Sequence, residues 1–263
     1  MGKFAVFLVL TLGFHYFYRV QNILNGRSLR GKKRQWRKPK RTKLKETEQE
    51  FLLNFVPFYK KLSQDKKELF DYKVLEFLSN VKIVGVKTSV TGEDKLLIAC
   101  SAIIPIINFP TWKYNNLRVI FLHPRTMLIH GKKVLGLVGH GIMKDKMLLS
   151  KDALHFGFRY SDDKRHTALH EFMHLIDMAD GEADGVPKLI MKRPEIVPWV
   201  QMMNAKLGKM VQPKASGETD LSRERAELLS NLTEYFFEKP EEFKEQEPDL
   251  YKEMEKMFNP SSE

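Results

Sequence analysis

The sequence predicts an α+β fold, and three observations predict it. Short β-branched runs gather between residues 116 and 149, a helical apolar period precedes them at 64–80, and helical spacing dominates after residue 163. At 263 residues the chain accommodates one substantial domain, or one domain with an appendage.

The chain begins with a basic tail. Residues 1–45 hold 13 Lys/Arg and no Asp or Glu, so the formal charge of +11 belongs to them and the remainder sums to −2. A nucleic-acid-binding domain carries its basic footprint on the folded part, so nucleic acid is not an expected partner. Phe4 to Tyr18 is apolar or weakly polar, interrupted by Thr11, Gly13 and His15, and ends at Arg19. A bilayer span takes about 20 residues, so the run is short, but Val20, Ile23 and Leu24 extend it if Arg19 snorkels. No small-x-small cleavage site follows it. Eleven positive charges between Arg27 and Lys45 then suit a cytoplasmic flank and an anionic lipid surface. The expectation is an N-terminal membrane anchor over 1–25, a basic juxtamembrane linker over 26–48, and a cytoplasmic catalytic domain over 49–263. A partly disordered amphipathic lead-in is the competing reading of the tail. The single cysteine, Cys100, permits neither an internal disulfide nor a cysteine-based metal cluster.

Globular composition starts at Phe51. Leu69, Phe70, Val74, Leu75, Phe77 and Leu78 recur at helical spacing, with Ser63 as N-cap and Asp65 in the first turn, which predicts a helix over 64–80. Leu96 to Ile107 is a continuous apolar stretch, either buried helix or strand. Asn116 to Leu122 reads as a strand stopped by Pro124. Val134–Val138 and Lys146–Leu149 are two further short strands, and Lys146–Leu149 is the candidate for edge pairing with an extended peptide.

The segment His170-Glu171-Phe172-Met173-His174 carries the chemistry. Asp162 or Asp163 can cap its helix and Gly181 can end it, while Leu169, Phe172, Met173 and Ile176 form the apolar stripe. His170 and His174, four apart, project from one face and offer two imidazoles to one cation. Glu171 points beside that cation, where it can take a proton from water acidified by the metal. An incidental histidine pair on a polar helix face is the bland alternative. A catalytic zinc keeps three protein ligands. Asp180, six residues after His174, needs a chain reversal that a helix continuing through Asp177 does not supply. Asp177 itself suits support of a ligand histidine from behind. The other candidates lie on a later helix around Arg223–Phe237, where Glu224, Glu227 and Glu234 are available and spacing alone does not choose.

These residues resemble a known family. HEFMHLIDMADG with Gly185-Val186-Pro187, the later AELLSNLTEYFFEKPEEF, and upstream FVPFYKKLSQDKKELF and VIFLHPRTM are similar to the Mlc titration factor A family of zinc peptidases, over roughly residues 50–258. The resemblance implies a zincin-like fold with a small mixed sheet, the HExxH helix and a later ligand-bearing helix. It implies Zn²⁺ held by His170, His174 and Glu227, with Glu171 as base. It also implies aminopeptidase-like action on a peptide or protein substrate. The family's soluble members bind a glucose-responsive repressor; a protein regulator is conceivable here, but nothing in this sequence speaks to that partner. One departure stands out: the family's tyrosine seven residues before the third ligand is Asp220 here. An ionised carboxylate donates nothing to an oxyanion. Either Tyr160, His166 or Tyr235 substitutes, or the chain is a weak or inactive zinc-binding member serving as a membrane-tethered interaction or regulatory module.

Overall fold

The computed structural model describes residues 35–129, 131–139, 141–160, 164–210 and 221–260. Two short helices, α1 (Glu46–Phe55) and α2 (Pro57–Lys60), lead into α3 (Gln64–Asn80), which starts where Ser63 Oγ accepts the Lys66 N–H. Asp71 on α3 is 1% exposed and accepts from Tyr59 Oη at 3.0 Å and Gln49 Nε2 at 2.6 Å, pinning the preceding helices to it. Arg37 N–H donates to Asn80 Oδ1 at 2.8 Å, so the chain already lies against α3 there.

After β1 (Lys82–Gly85), the ambiguous apolar stretch resolves as a helix, α4 (Gly92–Ile103), continued by a 3-10 turn at Ile104–Ile106. Thr91 and Asp94 form a reciprocal capping box at its start. Leu96 through Ile103 are all buried, which is why no period was legible there: a helix enclosed on every side has no polar face to reveal it.

The remaining strands are β2 (Leu117–His123), β3 (Met127–Ile129), β4 (Lys132–Val134), β5 (Gly136–Val138) and β6 (Asp145–Ser150). Four form a mixed sheet in the order β1-β2-β6-β5, with β5 alone antiparallel; β3 and β4 make a separate hairpin. The expected strand at 134–138 is therefore two strands in two sheets. β6 is enclosed by β2 and β5, so the edge strands of the sheet are β1 and β5, and Lys146–Leu149 is not one. Then come α5 (Lys151–Arg159), α6 (Thr167–Asp177), α7 (Arg193–Met210), α8 (Leu221–Glu238), α9 (Pro240–Gln246) and α10 (Pro248–Phe258). The class is α+β, with helices prevailing after residue 163. Phe172 of α6 packs edge-on to Phe77 of α3 (5.7 Å between centroids) and to Tyr114 (5.3 Å), seating α6 in the core.

The expected membrane anchor is corrected. No helix among the described residues is long and apolar enough to cross a membrane. Residues 1–25, on which the anchor rested, lie outside the described residues, and the run from Phe4 to Tyr18 falls short of the roughly 20 residues a span requires. The membrane-anchored, cytoplasm-facing localisation is withdrawn with it, and so is the membrane as a partner.

Candidate metal centre

Helix α6 begins later than the sequence suggested. His166 is its N-cap, with Nδ1 accepting the Leu169 N–H at 3.2 Å; Asp162 and Asp163 lie outside the described residues. At its other end the helix stops at Asp177, tightens into a 3-10 turn over Met178–Asp180, and closes on Gly181 at φ 104°. Leu169, Phe172, Met173 and Ile176 are buried, which turns His170 and His174 outward together. Their Nε2 atoms stand 3.1 Å apart.

Helix α8 packs along α6, with Ala226, Leu229 and Phe236 of α8 buried. This brings Glu227 Oε2 to 3.4 Å from His170 Nε2 and Glu227 Oε1 to 3.7 Å from His174 Nε2. One donor atom from each of the three residues lies within 4.8 Å of the others, which makes the trio able to hold a metal ion. Glu224, one turn earlier, and Asp180, whose Oδ1 accepts the Glu182 N–H, stay outside this group.

Glu234 faces the same helix two turns beyond Glu227. Its Oε1 is 2.7 Å from His170 Nδ1, and its Oε2 accepts the His166 backbone N–H. His170 Nδ1 is thereby engaged, which orients Nε2 towards Glu227 and His174. Burial by itself would depress His170; hydrogen bonding with Glu227 and Glu234 outweighs it and pushes the imidazole up to about 10. Hydrogen bonding with His170 and His174 holds Glu227 well below the usual carboxylate range. The trio thus favours positive charge between its members.

Glu171 is 7% exposed, and burial pushes its carboxyl up to about 7 against the pull of nearby His170. It lies over β5, where a Cβ on Gly136 would stand 2.5 Å from Glu171 Cγ and 2.6 Å from Oε1. Only glycine leaves that slot open. Asp177 forms no hydrogen bond with either histidine; its Oδ2 accepts the Gly185 N–H at 3.0 Å, and burial pushes its carboxyl up to about 6. Gly185, at φ 76°, sits so close to α8 that a Cβ would meet the Arg225 carbonyl carbon at 2.5 Å, and its carbonyl accepts Trp199 Nε1 at 2.7 Å. Asp177 therefore holds the Gly185 backbone, which lies against the helix carrying Glu227.

The three residues suggested in place of the missing tyrosine make the following contacts. Tyr235 Oη donates to Gln246 at 2.7 Å, Tyr160 packs on Phe156 at 4.7 Å, and His166 is buried as the cap of α6. Asp220 lies outside the described residues. The sequence reading missed Gly136 and named Gly185 only as part of the family likeness. A glycine between β-branched residues at 134–138 was the available signal for the first.

Comparison with known proteins adds the following. The model of a family described as glucose-regulated metallo-peptidase M90 matches residues 30–259, which takes in both α6 and α8. An uncharacterized protein of Synechocystis sp. is 22% identical over 222 residues, covering 77% of this chain and 80% of that protein. Mlc titration factor A of Pectobacterium atrosepticum is 31% identical over 98 residues, covering 34% of this chain and 36% of that protein.

Proposed function

Because this chain belongs to the glucose-regulated metallo-peptidase M90 family, we propose that it is a zinc-dependent peptidase of aminopeptidase-like action. His170, His174 and Glu227 are its metal ligands and Glu171 its general base. The observation that carries the reading is the convergence of three donors from two helices. Two imidazoles and a carboxylate form a donor set that zinc accepts, and tetrahedral ligands at about 2.0–2.1 Å stand roughly 3.4 Å apart. The histidine Nε2 atoms are 3.1 Å apart, and Glu227 approaches them with its two oxygens at 3.4 and 3.7 Å, one donor atom of each residue lying within 4.8 Å of the others.

Zinc, when bound, polarises the scissile carbonyl and lowers the pKa of a coordinated water to about 7. The chain's own groups do the rest. Glu171 Oε accepts a proton from the attacking water and passes it to the leaving amine nitrogen. Glu234 keeps the His170 ring in the tautomer that presents Nε2. The free edge of β5, beside Glu171, offers its backbone to an extended peptide, a role that enclosed β6 cannot fill. A zinc-binding module without turnover is not favoured, since such a module has no use for a carboxyl buried beside the ligands. Chelation of the full-length chain is expected to abolish hydrolysis of short peptides, and stoichiometric zinc to restore it. Turnover that persists in chelator would remove the reading.

Two further results are expected. Gly136→Ala forces Glu171 aside and lowers kcat roughly 10- to 100-fold, with zinc content by mass spectrometry unchanged. Glu234→Gln removes the carboxylate charge that faces His170 Nδ1 and weakens zinc binding about 10- to 100-fold in a competition titration.

A further inference from the structure

The strand edge beside Glu171 belongs to a stretch of chain with one sign of charge. Residues 123–144 contain Arg125, Lys132, Lys133 and Lys144 and no Asp or Glu. They lie in a body, residues 46–263, whose net charge is −2, so the excess is local. All four cations are exposed, and none pairs with a carboxylate among the described residues. Asp145, the first acid beyond the stretch, is taken by Arg118 at 3.5 Å. Acidic residues gather instead on the turn after α6, where Lys188 pairs with Glu182 and, at 3.5 Å, with Asp184.

The same stretch exposes apolar side chains, with Leu128 at 73%, Leu135 at 44% and Ile142 at 59%. On the β3–β4 hairpin Leu128 stands directly opposite Lys133, so one open face offers both an apolar contact and a charge. Met127, on the other face, is buried and seats the hairpin.

The hairpin leads straight into the edge. Ser150 N–H donates to the Leu135 carbonyl at 2.7 Å, so the ladder with β6 begins one residue after β4 ends. Lys133 precedes Gly136 by three residues, which keeps their Cα atoms within about 11 Å of each other. Gly136 is the position whose missing Cβ leaves room for Glu171. A peptide on the β5 edge that extends past Glu171 towards the hairpin therefore meets Lys132 and Lys133. Consecutive residues of a strand point to opposite faces, so the pair offers a cation on each face of the hairpin.

We propose that the peptide taken by this site is acidic: an extended segment on the β5 edge whose Asp or Glu side chains meet Lys132 and Lys133. This substrate class rests on the peptidase reading given above. Lysine attracts carboxylates as a compact charge without fixed geometry, so the selection is for charge and not for one sequence. An exposed pair is worth a few-fold at most, and two of them, set against repulsion of a basic peptide, give about tenfold.

The test compares three internally quenched peptides on the full-length, zinc-loaded chain. They share one framework around a central leucine and carry Glu, Gln or Lys on both sides of it. kcat/KM is expected to be about tenfold higher for the Glu peptide than for the Lys peptide, with Gln between them. The ratio is expected to shrink as salt is added. Lys132→Glu with Lys133→Glu is expected to reverse the order, and Lys132→Gln with Lys133→Gln to level it. Fluorescence anisotropy of the same peptides on the Glu171→Gln chain reads binding without turnover, and the same order is expected. Equal values for the three peptides, tightest binding of the Lys peptide, or an order unchanged by either double substitution would each overturn the inference. A preference carried by the 13 Lys/Arg of residues 1–45 survives those substitutions, and so counts against it. Tightest binding of the Glu peptide without hydrolysis of any peptide would instead overturn the peptidase reading and leave the acidic selection standing. Absence of both binding and hydrolysis would overturn both.

Discussion

Glu171→Gln is expected to lower kcat for peptide hydrolysis roughly 10²- to 10⁴-fold while the protein still carries one zinc per chain. The amide has the carboxylate's shape, so it fits the slot over Gly136 without displacing β5. What it loses is the ability to accept a proton. The fold should not suffer, because a carboxyl this enclosed is costly when ionised, and the neutral amide removes that cost. Steady-state kinetics alongside metal analysis separates the two properties. Turnover equal to the parent's would end the assignment of Glu171 as base.

The second large effect belongs to Glu227. Replacement by alanine is expected to cost more zinc affinity than the tenfold to hundredfold of a supporting hydrogen bond, and to take peptide hydrolysis to background. Its side chain is 52% exposed, so truncation leaves the apolar core untouched, and what the metal-free chain loses is the pairing of Glu227 with His170 and His174. Glu224→Ala, one turn earlier on the same helix, is the control that should keep its zinc. If both variants lose metal alike, or neither does, the third ligand is not Glu227. Mass spectrometry of metal content on matched preparations reads the difference directly.

The legibility of this chain followed its physics. The helix at 64–80 was readable because one face is buried and the other wet, and its Ser63 cap sits where the pattern starts. The stretch from Leu96 was not, because α4 is buried all round. At 134–138 a single apolar run concealed a change of sheet, since neither hairpin pairing nor edge position has a one-residue signature. His170, Glu171 and His174 were legible because their geometry is local to one helix. Glu227 and Glu234 were visible only as members of a polar stripe, and likeness to a family was needed to choose between them. Their separate places, one at both Nε2 atoms and one at His170 Nδ1, depend on how α8 lies against α6. The apolar run at the N-terminus had composition in its favour but too few residues, and the anchor read from it has been withdrawn.

The contact between Gly185 and Arg225 bears on how the proposed site comes together. The histidines are neighbours in sequence, whereas Glu227 lies 53 residues beyond His174 and arrives only when α8 docks. On the proposed ligand set, metal acts as a removable cross-link closing that long loop. Docking of α8 and affinity for the ion are then one equilibrium: free zinc at about 100 times its Kd adds roughly 2.7 kcal/mol to the folded state. Stripping the ion returns that energy first from the segment between Asp177 and Glu238, so hydrogen exchange there should rise well before the parallel strands loosen.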